Sequence, residues 1–234
     1  MSAARHILIT GSSRGIGAHL AQHYLAQGDV VIGCARGPSS FTHERYTHAE
    51  ADVTDEPQVR SLFRDIRRRF GSLDVLINNA GIASMNPVAL TPFETARQIL
   101  ATNVLGTFLF THLALRLLRS SAAGRIVNFT TVAVPLRLDG ETIYAASKSA
   151  IETFTRIFAS EVAPFGITCN AVGPSPIKTQ LTSNVAPDKM EALIARQAVP
   201  RWAEPDDVAN VIDFFLRPES RMVTGQVVYP GGVG

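Results

Sequence analysis

The sequence predicts an α/β fold: one Rossmann-like domain, a doubly wound parallel sheet with helices on both faces. Three observations predict it. Apolar, strand-like runs alternate with helical patterns from end to end, as successive parallel βαβ units do. No linker, repeat or low-complexity stretch divides the chain, so residues 1–234 read as one domain of ordinary size. Apolar residues make up 46% and charged residues only 18%, a balance that suits a sheet covered on both faces.

The elements follow in order. Residues 7–10 read as the first strand and 16–27 as the first helix, with a glycine-rich turn between them. Strand 30–34 is followed by helix 56–70, and strand 75–78 by the long helix 93–119. Strand 126–129 leads to helix 144–165, strand 168–172 to helix 206–215, and residues 226–229 make the last strand. Residues 175–203 are the longest departure from this alternation. An excursion past the C-terminal end of a strand covers the ligand crevice of such a sheet, so this stretch is expected to be the substrate lid.

Charge and composition exclude other classes. Twenty-two basic and 20 acidic side chains leave a net charge of +2, which is no footprint for nucleic acid. The one local basic run is Arg64, Arg67, Arg68 and Arg69. It reads as the solvated C-terminal end of a helix, which suits the helix dipole; docking of an acidic carrier protein is the other reading. Cys34 and Cys169 lie in apolar, strand-like contexts and read as reduced core residues of a cytoplasmic protein. The first apolar run, Ile7-Leu8-Ile9, is too short for a signal peptide, and no stretch is expected to approach a membrane span. No metal site is assigned.

The chemistry is carried by three pieces. Gly11, Gly15 and Gly17 follow the first strand in the turn Thr10-Gly11-Ser12-Ser13-Arg14-Gly15-Ile16-Gly17, at the start of a helix. Glycine lets a backbone turn tightly and approach a pyrophosphate, whose charge a helix N-terminus favours. Tyr144 and Lys148 stand four residues apart, so they share one helix face. A phenol is a poor acid–base catalyst at neutral pH, and a neighbouring ammonium, together with an oxidised nicotinamide, is expected to lower its pKa. Thirteen residues before the tyrosine stands Thr131. Strand alternation sends its neighbour Thr130 to the opposite face. In this order and spacing the three specify hydride transfer between a nicotinamide cofactor and a carbonyl or alcohol.

With these residues the chain resembles the short-chain dehydrogenase/reductase family, and most of all its 3-oxoacyl-carrier-protein reductases. The turn looks like that family's T-G-x-x-x-G-x-G, and Asn78-Asn79-Ala80-Gly81 like its N-N-A-G. Asn103 matches the family's helix asparagine, Tyr144 and Lys148 its Y-x-x-x-K, and Asn170-Ala171-Val172-Gly173-Pro174 its N-A-V-x-P segment. The likeness runs from about Arg5 to Gly232. It implies that Lys148 also holds the nicotinamide ribose, that Asn103 supports a water chain to that lysine, and that Asp52-Val53 contacts the adenine. Read alone, Asp52 would cap the next helix, and Asn103 would be a polar residue making a local hydrogen bond. The resemblance also implies that Ile177 and Thr179 approach the nicotinamide carboxamide and the phosphates, and that the protein is a homotetramer built on the two long helices and the last strand. Those helices carry apolar residues on more than one face, including Phe108, Phe110, Phe154, Ile157 and Phe158.

The departures matter. The family usually has serine where Thr131 stands; threonine keeps the hydroxyl, adds a methyl and stiffens χ1. Ser175 replaces a usual glycine and is followed by Pro176, which pushes it to an extended conformation. An NAD enzyme commonly ends its second strand with a carboxylate for the ribose 2′-hydroxyl. Here Ala35 and then Arg36 stand at that point, and Arg14 lies in the glycine turn. Two guanidiniums and no carboxylate suit a 2′-phosphate, hence NADP(H).

The substrate expected is a small-molecule carbonyl compound. Val134, Leu136 and Leu138 are placed to line an apolar pocket, and the lid mixes Leu181, Val185, Met190, Leu193, Ile194, Val199 and Trp202 with basic Lys189 and Arg196. That suits a 3-oxoacyl thioester on an acyl carrier protein; sugar, polyketide and small-alcohol substrates stay open. In this reading Tyr144 delivers a proton, Thr131 polarises the carbonyl, Lys148 tunes the tyrosine and Asn103 supports proton relay. The alternatives are an NAD-dependent alcohol or sugar dehydrogenase of the same fold and a non-catalytic dinucleotide sensor.

Overall fold

The computed structural model describes residues 4–183 and 185–233. Seven parallel strands form one sheet: β1 (His6–Thr10), β2 (Val30–Ala35), β3 (Tyr46–Glu50), β4 (Val75–Asn78), β5 (Arg125–Phe129), β6 (Thr168–Val172) and β7 (Val227–Val228). Their order across the sheet is β3-β2-β1-β4-β5-β6-β7. The direction of winding therefore reverses between β1 and β4, and the C-terminal ends of these strands, Thr10 and Asn78, flank the crevice where such sheets bind ligands.

Side chains of a strand alternate between faces, and each face has its own core. Leu8, Leu76, Ile126 and Cys169 face α2 (Glu56–Phe70), α4 (Thr107–Leu118) and α6 (Thr142–Val162), among Leu62, Phe63, Phe110 and Leu117. Ile7, Ile9, Val127 and Val172 face α1 (Gly15–Ala26) and α8 (Pro205–Leu216), among Leu20, Tyr24, Ile212 and Phe215. Both cysteines are free and buried, and burial pushes each thiol up to about 12, so neither is a nucleophile at neutral pH.

Three sequence expectations need correction. β3 was not expected, because Tyr46-Thr47-His48-Ala49-Glu50 is a polar edge strand with no fully buried residue; only pairing with β2, from Val31↔Tyr46 to Ala35↔Glu50, makes it a strand. The long helix is three pieces: α3 (Phe93–Leu100), a π-helical turn over Ala101–Gly106, and α4. Because these pieces run on continuously, Phe93–Leu118 is 26 residues long with a mean hydropathy of 1.3, enough by length and composition for a membrane span. Its Ile99, Phe110, Ala114, Leu117 and Leu118 are buried in this fold, so it serves as a core helix on the sheet.

There are two further short helices: α5 (Ala133–Leu136) follows β5, and α7 (Pro187–Ala195) lies within the expected lid. The spacing of Met190, Leu193 and Ile194 does form a helix, with Met190 buried and the other two half-buried. Asn184, within the expected lid, lies outside the described residues.

Candidate active site

Two of the sequence motifs meet at the β1/β4 switch. The Gly11 amide donates to the Cys34 carbonyl (2.7 Å), tying the turn to β2. Asn79 donates through Nδ2 to the carbonyls of Thr10 (2.8 Å) and Gly11 (3.2 Å), and the Ala80 amide donates to Thr10 Oγ1 (2.9 Å). The glycines have different tasks. A Cβ on Gly17 would lie 2.2 Å from the Gly11 carbonyl oxygen, and one on Gly11 would lie 2.8 Å from Asn79 Nδ2. At these two positions the close approach that glycine permits is to the protein's own backbone and Asn79. Gly15, at φ +58°, faces Thr179, whose Cγ2 stands 3.7 Å from the position of its Cβ, so the segment after β6 closes over the turn. Arg14 makes no side-chain cap on α1. The first-turn amides are left for water or an anion, and with the glycine turn they fit a dinucleotide pyrophosphate.

Around the expected 2′ position, Arg14 and Arg36 are exposed and enter no ion pair among the described residues. Glu50, in register with Ala35 on the unforeseen β3, brings a carboxylate to the adjacent strand that the sequence reading did not weigh. Asp52 does not cap the next helix. Its Oδ1 accepts from the Thr54 amide (2.8 Å) and Thr54 Oγ1 (2.7 Å), whereas Asp55 caps α2 by accepting from the Gln58 amide (3.0 Å). Val53 is buried, with its Cγ2 2.9 Å from where a Cβ on Gly106 would stand, so its side chain packs on the π-helical turn. Ile177 is likewise buried in the α1/α8 core; its backbone bridges to Ala203, and its carbonyl accepts from Thr182 Oγ1 (2.8 Å). The Ser175 hydroxyl donates to the Pro230 carbonyl (2.6 Å) and ties the loop after half-buried Pro174 to the C-terminal segment.

The four candidate catalytic residues converge from three elements. Tyr144 and Lys148 occupy the first two turns of α6, Thr131 follows β5, and Asn103 lies in the π-helical turn; all four are buried. Asn103 donates to the Ile82 carbonyl (2.9 Å) and accepts from the Ile82 amide (2.9 Å), which pins it to the segment after Gly81. It also donates to Ser147 Oγ (3.0 Å), whose own proton goes to the Tyr144 carbonyl (2.7 Å). A Cβ on Gly81 would stand 3.3 Å from both Lys148 Nζ and Asn103 Oδ1, so the glycine keeps a side chain from crowding the two. A π turn at such a position is a common mark of a functional site. Ser147 was not foreseen, because no spacing rule singles out a serine between two motif residues.

The two threonines separate as strand alternation requires. Thr131 accepts from the Ala133 amide (3.2 Å), and its hydroxyl favours the ionised form of Tyr144. Thr130 turns the other way and donates to Glu152 Oε1 (2.8 Å).

The acidities differ from expectation. Burial pushes the Tyr144 phenol up to about 12, against a smaller opposing pull from Thr131. Lys148 is not among the groups that shift it; burial brings the lysine down to about 8, and its ammonium donates to the Phe129 carbonyl (2.9 Å). In the chain by itself burial sets the acidity of the phenol, and the lowering expected from Lys148 together with an oxidised nicotinamide concerns the cofactor-bound site. Glu141, also unforeseen, is buried one turn before Tyr144 and pushed up to about 7 from the usual 4.5. The folded chain therefore holds this proton more tightly than the unfolded chain, so the contribution is full below about 4.5 and is lost as pH rises through about 7. Stability is expected to fall across that window and to lose part of this slope in Glu141→Gln, as read from denaturation midpoints at a series of pH values. An unchanged slope in the variant would refute the assignment.

A doubly wound sheet with a glycine turn at its switch point and a buried tyrosine–lysine pair beside it defines a nicotinamide-dinucleotide oxidoreductase. Residues 11–232 match a family model described as enoyl-(acyl carrier protein) reductase. The chain is 31% identical over 231 residues to the 3-oxoacyl-(acyl-carrier-protein) reductase FabG of Vibrio harveyi, a match covering 96% of this chain and 95% of the relative. Among solved structures it is similar to the ligand-free aldohexose dehydrogenase of Thermoplasma acidophilum, with 28% identity, TM-score 0.88, and coverage of 97% and 92% of the two chains. It is also similar to a short chain dehydrogenase of Leptospira borgpetersenii with bound NAD+, with 27% identity, TM-score 0.90, and coverage of 98% and 92%. The chain belongs to the short-chain dehydrogenase/reductase family.

Proposed function

We propose that this protein reduces a ketone to a secondary alcohol with NADPH, and that its substrate is a 3-oxoacyl thioester carried on an acyl carrier protein. The observation that carries the reading is the convergence of buried Thr131, Tyr144 and Lys148, with the lysine one turn behind the tyrosine on α6. The names of the similar reductases support the thioester. The glycine turn, the Asn79-Ala80-Gly81 segment, Asp52-Val53, Lys148 and the stretch from Pro174 to Thr179 would hold the dinucleotide. When bound, that cofactor supplies the hydride. Tyr144, kept protonated at neutral pH by burial, gives its proton to the substrate oxygen as charge develops there. Thr131 donates to the same oxygen and orients it. Lys148 is held at the Phe129 carbonyl and fixes the tyrosine's surroundings, and Asn103 with Ser147 holds the first turns of α6 in place.

The cofactor choice rests on Arg14 and Arg36, which are free to grip a 2′-phosphate. NADPH is expected to be preferred over NADH in steady-state reduction of a short 3-oxoacyl thioester, with the preference falling about tenfold in Arg36→Ala and again in Arg14→Ala. Equal use of both cofactors, unaltered by the substitutions, would instead favour an NAD-dependent alcohol or sugar dehydrogenase, a reading to which Glu50 beside Ala35 lends weight. Cofactor binding without turnover of any carbonyl compound would point to a dinucleotide sensor.

The assembly proposed is a homotetramer. Phe93, Leu105 and Phe108 on the long helix and Ile157 on α6 are exposed apolar side chains, and contact between subunits would cover them. A single-chain mass in solution would refute it. The reduced, buried thiols accord with a cytoplasmic enzyme, which cell fractionation checks.

A further inference from the structure

Glu152 is a buried carboxyl group that no step of the proposed reaction uses. It stands on α6 one turn past Lys148, and only 5% of it is exposed. Burying a carboxyl is costly unless hydrogen-bond donors surround it, and here they come from three places. Thr130 Oγ1, just past β5, donates to Oε1 (2.8 Å). The Tyr229 hydroxyl, just past β7, donates to the same oxygen. Exposed Arg156, one turn further along α6, reaches Oε2 (3.5 Å). Burial and the neighbouring carboxyl push the Tyr229 phenol well above its usual range, so it keeps its proton for this bond.

These contacts clamp the strand end that carries Thr131. The Thr130 amide donates to the Val172 carbonyl (2.9 Å), and its hydroxyl, bound by Glu152, also lies 3.5 Å from the Lys148 carbonyl. Its methyl side is closed by Gly173, where a Cβ would stand 2.9 Å from Thr130 Cγ2 and 2.4 Å from Tyr229 Cδ1. The missing side chain at Gly173 therefore lets Thr130 and the Tyr229 ring meet over the end of β6, with both hydroxyls on Glu152. Successive residues of an extended chain point to opposite faces, so a side chain clamped at Thr130 sets the direction of Thr131 on the other face. Glu152 ties that clamp to the helix that carries Tyr144 and Lys148.

We infer that Glu152 is a positioning residue: by binding the Thr130 hydroxyl it fixes the end of β5 to α6, and so holds the Thr131 hydroxyl where it meets Tyr144 and the substrate oxygen. The inference rests on the ketone-reductase reading of the same site and adds a residue that does not itself touch the substrate. Tyr229 extends the clamp to the C-terminal segment. A reacting or orienting group displaced by an ångström costs up to about 10²-fold in rate, so a clamp one residue from the donor acts on turnover rather than on cofactor binding.

The test is a double-mutant cycle. Single-turnover reduction of a short 3-oxoacyl thioester, with NADPH and with NADH, is followed in Glu152→Leu, Glu152→Asp and Glu152→Gln. Each is made with Thr131 intact and with Thr131→Val, and cofactor binding, measured separately, checks that each is folded. Glu152→Leu removes the acceptor. It is expected to slow turnover about tenfold with Thr131 intact and to add no loss in Thr131→Val, where the clamp has no hydroxyl to aim. Glu152→Asp draws the carboxyl back by one methylene; it carries the same two expectations and decides the matter if the leucine variant binds no cofactor. Glu152→Gln keeps an acceptor oxygen and should stay within a few-fold of wild type. A loss of equal size in both Thr131 backgrounds overturns the inference, because Glu152 would then act on the fold at large. The absence of a loss in the leucine and aspartate variants overturns it too, and either result leaves the reductase reading in place. A wild type that reduces no thioester with either cofactor overturns that reading and this inference together.

Discussion

Replacement of Tyr144 by phenylalanine is expected to lower kcat about 10³-fold, the scale of losing a positioned general acid, while cofactor binding persists. The tyrosine is buried in the first turn of α6, and phenylalanine fills the same volume, so the fold is preserved and only the hydroxyl is lost. What goes is the proton that burial keeps on the phenol at neutral pH. Single-turnover reduction of a short 3-oxoacyl thioester, with cofactor binding followed separately, measures both halves of the expectation. A variant that kept more than about a tenth of the wild-type rate would remove Tyr144 from the proton-donor role.

Thr131→Val is expected to cost about 10²-fold in kcat/KM, as loss of one preorganised donor at a developing oxyanion does, whereas Thr131→Ser should stay within a few-fold of wild type. Valine keeps the branched shape in the strand end and removes the hydroxyl alone. The Thr131 oxygen accepts from the Ala133 amide, which fixes the hydroxyl beside Tyr144, whose ionisation it favours. Thr130 gives the internal control, because its hydroxyl is spent on Glu152 on the far side of the strand. A Thr130→Val loss as large as that of Thr131→Val would overturn the assignment.

Much of this site was legible because its signals are local. Glycines after an apolar strand, a tyrosine and lysine one turn apart, and a hydroxyl at a set distance before them are properties of short stretches read against known periodicities. β3 was not legible, because it is polar and owes its strand geometry to β2. Neither was the π turn at Asn103, where the chain is apolar and helical by pattern; the turn holds an asparagine bonded at both ends to Ile82. Nor was the burial of Ile177 beside Ala203, because nothing in Pro176-Ile177-Lys178 signals it.

The sequence by itself determined the doubly wound class, the glycine turn, the candidate tyrosine, lysine and threonine, and the two arginines, Arg14 in that turn and Arg36 after the second strand. These depend on residue type and spacing along the chain. Only the tertiary structure decided that Gly11 and Gly17 make room for Asn79 and each other, that burial sets the acidity of Tyr144, and that Glu141 is buried at the head of α6. Acidity and partnership depend on how many distant segments exclude water from a group and which of them offers a hydrogen bond, a sum over neighbours brought together from four or five separate stretches of chain that no single stretch contains.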